Sequence, residues 1–138
     1  MSRLGSDTAN IMTKLFLIGM GGFIGSVLRY LLSGVAQGLS RSVSFPYGTF
    51  AVNVAGCFFI GLCAHLADAR GMFSDSSRAF VFIGLLGGFT TFSAFANESF
   101  NLLHDGETSL ALLNIAGQVA VCLGAVWCGR ATAFWIWR

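Results

Sequence analysis

Apolar and polar positions fall along this chain in long blocks, not in the short alternation of a half-buried strand or the narrow stripe of a surface helix. Residues 15–28 carry no charge, and the apolar pattern continues past Arg29 to about residue 34. Residues 42–64, 79–97 and 108–129 are each free of Asp, Glu, Lys and Arg. Crossing a bilayer takes roughly 20 mostly apolar residues, so the blocks predict four transmembrane helices. A polar N-terminal tail over 1–13 leads into a four-helix transmembrane domain over 14–138. Pro46 sits where a helix start tolerates it, which predicts a second helix over about 47–66. The third is expected over about 78–100 and the fourth over about 109–132, joined by polar connections at 37–45, 68–77 and 101–107.

The third block has an irregularity. Residues 84–95 read Gly-Leu-Leu-Gly-Gly-Phe-Thr-Thr-Phe-Ser-Ala-Phe. Paired glycines loosen the backbone and threonine hydroxyls compete for its hydrogen bonds. In hydrocarbon a loosened backbone survives only where protein or a cavity satisfies the freed groups. The pattern therefore predicts a third helix broken near 87–91, and a break at membrane depth points to an ion or substrate site. Freed carbonyls are hard ligands suited to hard cations. The composition says that the helix breaks and does not by itself name sodium.

Composition then narrows the class. The chain has 138 residues, 55% hydrophobic and 10% charged, against about a quarter charged in soluble domains. The spans consume nearly all of it, so an all-α integral membrane protein is expected, with its chemistry in or beside the bilayer. A net charge of +2 spread thinly offers no nucleic-acid surface. Arg3 and Lys14 before an apolar run resemble a secretory leader, but Arg29 within the block and three later spans favour a retained helix. Cys57 and Cys63, like Cys122 and Cys128, lie six residues apart on different helix faces, so neither pair clamps a metal and all four read as packing residues. His65 and His104 fall near helix ends without a nucleophile or carboxylate constellation, which argues against an enzyme. Trp127, Trp135 and Trp137 with Arg130 and Arg138 read as an interfacial anchor. Arg3, Lys14, Arg70, Arg78, Arg130 and Arg138 share one side, and Arg41 lies on the other, so charge bias alone places both termini in the cytoplasm.

Several side chains could carry chemistry. Gly21, Gly25 and Arg29 recur four residues apart on one helix face, where small residues permit close helix approach. Arg29 either snorkels to the headgroups or brings positive charge to the mouth of an anion pathway. Thr49, Asn53 and Cys57 form a stripe on the second helix. The Asn53 amide either glues helices together or offers a neutral anion donor, with the Thr49 hydroxyl one turn away. Phe92 and Phe95 share a face with Ser93 between them, as a packing stripe or as ring edges, which are positive, turned toward a small anion. Such uncharged donors suit conduction, which needs binding strong enough to enter and weak enough to leave. Glu98 follows one turn later, in reach of Arg29 or a basic loop residue.

Three motifs in order carry a resemblance: Gly21-Gly22-Phe23-Ile24-Gly25 with Arg29-Tyr30; Pro46 with Gly48-Thr49-Phe50-Ala51-Val52-Asn53-Val54-Ala55-Gly56; and 84–95 with Glu98. Over all four spans the chain resembles the Fluc (CrcB) family of small bacterial fluoride channels. The resemblance implies an antiparallel, dual-topology homodimer of four-helix subunits in the bacterial inner membrane, with two pores along the subunit interfaces. It implies passive export of cytoplasmic fluoride: neutral HF crosses lipid, ionises inside, and leaves as F⁻ driven by the membrane potential. Carried over by position, Asn53 is the pore amide and Phe92 and Phe95 are the fluoride-facing rings. Thr49 and Ser93 join the polar track, and Arg29 lines the vestibule. The Gly87 and Thr90 carbonyls, with the same pair from the partner copy, would hold a structural Na⁺ at the dimer centre. Ala94 stands where the family commonly has threonine or serine. Asn114, where many members carry tyrosine, is expected to join the fluoride pathway, and Gln118 one turn on could continue that polar face. The one-sided charge bias runs against dual topology.

Two other classes compete. A small multidrug-resistance-type proton antiporter is also a four-helix antiparallel dimer, but it needs a carboxylate deep in the first helix, and 15–28 holds none. A non-transporting membrane scaffold would use the glycine stripes for packing alone and leave Thr49, Asn53 and Ser93 no task beyond gluing helices.

Overall fold

The computed structural model describes residues 2–137, with the side chains of 2–7 and Ala9 outside the description. The anchor expected at Arg138 and the side-chain charge counted at Arg3 therefore lie outside the described residues. The regular elements of the described chain are all helical: α1 (Ser2–Ser40), α2 (Tyr47–Arg70), α3 (Asp75–Arg78), a π-helical stretch (Ala79–Leu86), α4 (Gly87–Phe89), α5 (Phe92–His104) and α6 (Thr108–Ile136). Four helical stretches are long and apolar enough to cross a membrane: Asn10–Ser40, Tyr47–Arg70, Asp75–His104 and Thr108–Ile136. The protein is thus a multi-pass membrane protein.

Element bounds differ from the sequence reading mainly because helices in this chain continue until a residue stops them. Residues of the polar N-terminal segment from Ser2 onward are wound into α1, since polarity alone does not end a helix. α2 runs to Arg70 because Gly71, at φ 59°, supplies the left-handed turn that closes it onto the Leu66 carbonyl. Ser74 caps α3 by accepting from the Ser77 N–H.

Tight backbone contacts hold the bundle together. A Cβ built on Gly21 would stand 2.6 Å from the Phe80 carbonyl oxygen, and one on Gly88 2.7 Å from that of Gly22. α1 and the third span therefore touch backbone to backbone, as small residues allow in membranes. On the other side, Gly61 meets the Val126 backbone, and Gly129 meets those of Phe58 and Leu62. Polar links tie the spans at one end of the bundle: Arg130 reaches Asp68 at 3.1 Å, Lys14 reaches Asp75 at 3.6 Å and Arg78 donates to the Ala67 carbonyl at 3.3 Å. His65 packs edge-on against Phe134, and His104 lies beside Asp105. Neither belongs to the site described below.

Candidate functional site

Between Phe89 and Phe92 the third span leaves helical geometry. Thr90 (φ −87°, ψ 157°) and Thr91 (φ −151°, ψ 114°) are both extended. Such a stretch frees backbone groups, and their new partners define the site. The Thr91 N–H donates to Asn53 Oδ1 at 2.9 Å, and Asn53 Nδ2 donates back to the Thr91 carbonyl at 3.2 Å. The Asn53 amide thus mimics a neighbouring strand. The Thr91 hydroxyl accepts the Ala94 N–H at 3.2 Å and caps α5, while Thr90 Oγ1 folds back on the Leu86 carbonyl at 3.0 Å.

These redirections have a consequence for two carbonyls. In a continuous helix Gly87 would receive the Thr91 N–H and Thr90 would receive that of Ala94. Both donors now point at side chains, so Gly87 and Thr90 each lose that helical partner, and Gly87 lies on the exposed surface of the subunit. Hard carbonyl oxygens short of donors are the ligand type that an alkali or alkaline-earth cation takes.

A cleft of about 400 Å³ opens beside the break, between α2, α5 and α6. Asn53, Thr91, Phe92, Phe95 and Gln118 are on its wall. The Phe92 and Phe95 rings meet at 5.4 Å and 63°, edge toward face. Phe92 is 79% exposed, while Phe95 is buried. Gln118 is buried too; its Oε1 accepts from Asn53 Nδ2 at 3.3 Å, and its Nε2 has no partner among the described residues. Both Asn53 amide protons are committed within the subunit, so the neutral donor left over at the cleft belongs to Gln118.

The remaining candidates are spread around this centre. Ser93 is exposed, with its hydroxyl 3.2 Å from that of Thr91. The Thr49 hydroxyl donates to Glu98 Oε1 at 2.6 Å, so a hydroxyl holds Glu98 where the sequence predicts a basic partner. Glu98 Oε2 is buried without a partner among the described residues. Thr49 and Glu98 both line a second cavity of about 640 Å³ toward the α1–α2 connection. Arg29 lines a third, of about 400 Å³, together with Thr49 and Thr91. Asn114 is fully buried and donates to Ser99 Oγ at 2.9 Å, away from the cleft wall. The part played by Thr91 was readable as a threonine opening a new helix. The link from Asn53 to Gln118 had no signal beyond two amides on different spans.

Comparison with known proteins gives matches over most of the chain. The family profile described as CrcB-like protein, Camphor Resistance (CrcB), matches residues 16–130. Fluoride-specific ion channel FluC 1 of Methanosarcina acetivorans is 46% identical over 122 residues, 88% of this chain and 92% of the relative. Fluoride-specific ion channel FluC of Geobacter sulfurreducens is 47% identical, covering 88% and 98%. That of Parabacteroides distasonis is 48% identical, covering 83% and 92%.

Proposed function

The chain belongs to the CrcB-like family, and from that membership and the cleft we propose that it is a fluoride-selective channel, not an enzyme. Cytoplasmic F⁻ leaves passively through pores where two oppositely inserted copies meet in the inner membrane. The observation that carries the reading is the cleft at the helix break, where neutral donors gather without a formal charge. The exposed Phe92 ring, its neighbour Phe95 and Gln118, whose Nε2 has no partner among the described residues, share one wall.

Fluoride is small and strongly hydrated, so a pore must replace its water without trapping it. Ring edges carry partial positive charge and an amide N–H donates one hydrogen bond; together they act as successive weak sites. Asn53 lines the cleft and aims Gln118, while Thr49 and Ser93 continue the hydroxyl track. Arg29 raises the local anion concentration at one mouth through its charge. Asn114 stands behind the cleft wall and holds Ser99, whose hydroxyl donates to the Phe95 carbonyl.

A second copy is part of this reading. The Gly87 carbonyl, deprived of its helical donor on an exposed face at membrane depth, needs a partner. Gly87 and Thr90 from two copies would together offer four carbonyls to a Na⁺, which supplies a fixed positive charge that ties the broken spans together.

Fluoride efflux from liposomes holding the purified protein tests the proposal, with chloride as control. Fluoride should leave and chloride should stay. Vesicles that remain tight to fluoride while the protein is assembled overturn it. Phe92→Ile gives the sharper test. Because the ring is 79% exposed in the subunit, its loss should leave thermal unfolding unchanged. Efflux should fall at least about tenfold, a barrier increase of about 1.4 kcal/mol.

A further inference from the structure

Two thiols in the cleft have no part in the conduction path described above. Asn53 on α2 meets Gln118 on α6, 65 residues later. Two turns on, Gly61 meets Val126 at the same separation. The register of these parallel helices therefore places Cys57 opposite Cys122 on the rung between. Cys122 Sγ lies 3.7 Å from Gln118 Oε1 with Cys57 as its neighbour across the helix pair. Both cysteines are free, half-buried and on the cleft wall. Cys63 and Cys128 repeat the separation, but six further residues turn each to another face at about 100° per residue.

We propose that Cys57 and Cys122 form a dithiol site that captures trivalent arsenicals, and that the bound group plugs the cleft. Only the second clause rests on the channel reading. Soft centres select thiolate sulfur. A tetrahedral zinc site would need four ligands, and no cluster of three or more His, Cys, Asp or Glu exists among the described residues. An organic arsenic(III) centre needs two sulfurs and brings its own third substituent. Two S–H bonds break and two As–S bonds form, and the arsenic oxygen leaves as water with both protons. No electrons are transferred. Binding the first sulfur raises the effective concentration of the second, so a pair holds the group where one thiol releases it.

The test uses the full chain with Cys63→Ala and Cys128→Ala, treated with phenylarsine oxide. Intact mass should rise by one phenylarsenic group less two hydrogens per subunit, and thiol titration should lose both remaining thiols. The adduct should be absent in Cys57→Ala and in Cys122→Ala, with Cys122→Ser as a second variant should the alanine protein fail to fold. Fluoride efflux should be lost on treatment and return with a small dithiol but not with a monothiol. No adduct on folded protein, or an adduct that survives in a single-cysteine variant, overturns the site. An adduct with efflux unchanged overturns the plug. Protein that passes no fluoride before treatment refutes the channel reading and leaves the dithiol assignment to the mass measurement.

Discussion

Asn53→Ala should return fluoride efflux to the rate of protein-free vesicles and also lower the unfolding midpoint in detergent. The amide holds both the N–H and the carbonyl of Thr91 at the helix break. Alanine leaves these two backbone groups without partners, at about 1–3 kcal/mol each, or about 2–6 kcal/mol together. It also removes the donor that orients Gln118. Loss of transport and loss of stability should therefore come together. That separates Asn53 from Phe92, whose replacement is expected to affect transport alone. Thermal melts and efflux measured on the same preparations check the pair. An Asn53→Ala protein with normal unfolding removes the clamp from the account, and normal efflux removes Asn53 from the pathway.

Gly25→Ala should be the most damaging single-methyl change in α1. Its new Cβ would overlap the Leu85 carbonyl oxygen and stand 2.8 Å from the Phe89 nitrogen and 3.1 Å from the Gly88 carbonyl carbon. All three are backbone atoms, so no side chain can rotate away and the helices must separate. Overpacking of this kind costs about 1–3 kcal/mol, occasionally more. Gly22→Ala is the control, because a Cβ there meets nothing within 4 Å. It should be neutral or gain up to about 1 kcal/mol from helix propensity. Thermal unfolding and the yield of assembled protein read the difference. Equal tolerance of both substitutions would contradict the close contact between α1 and the third span.

The sequence by itself determined the four spans, because each is a block whose transfer to lipid is favourable without reference to any other part of the chain. It also located the irregular segment, since glycines and threonines weaken the helix through their own local chemistry. The α1 stripe of Gly21 and Gly25 was legible for a similar reason, as spacing decides which residues share a face. The tertiary structure alone decided what each face meets. Thr49 finds Glu98, Asn53 finds both Thr91 and Gln118, and Cys57 finds Cys122. Each pairing depends on how far one helix slides along another. In lipid the outward and inward faces are nearly equally apolar, so hydropathy carries no record of that register. Backbone contact at glycines, Gly61 on Val126 and Gly25 on Leu85, sets it instead. The polar partners follow once those backbones touch.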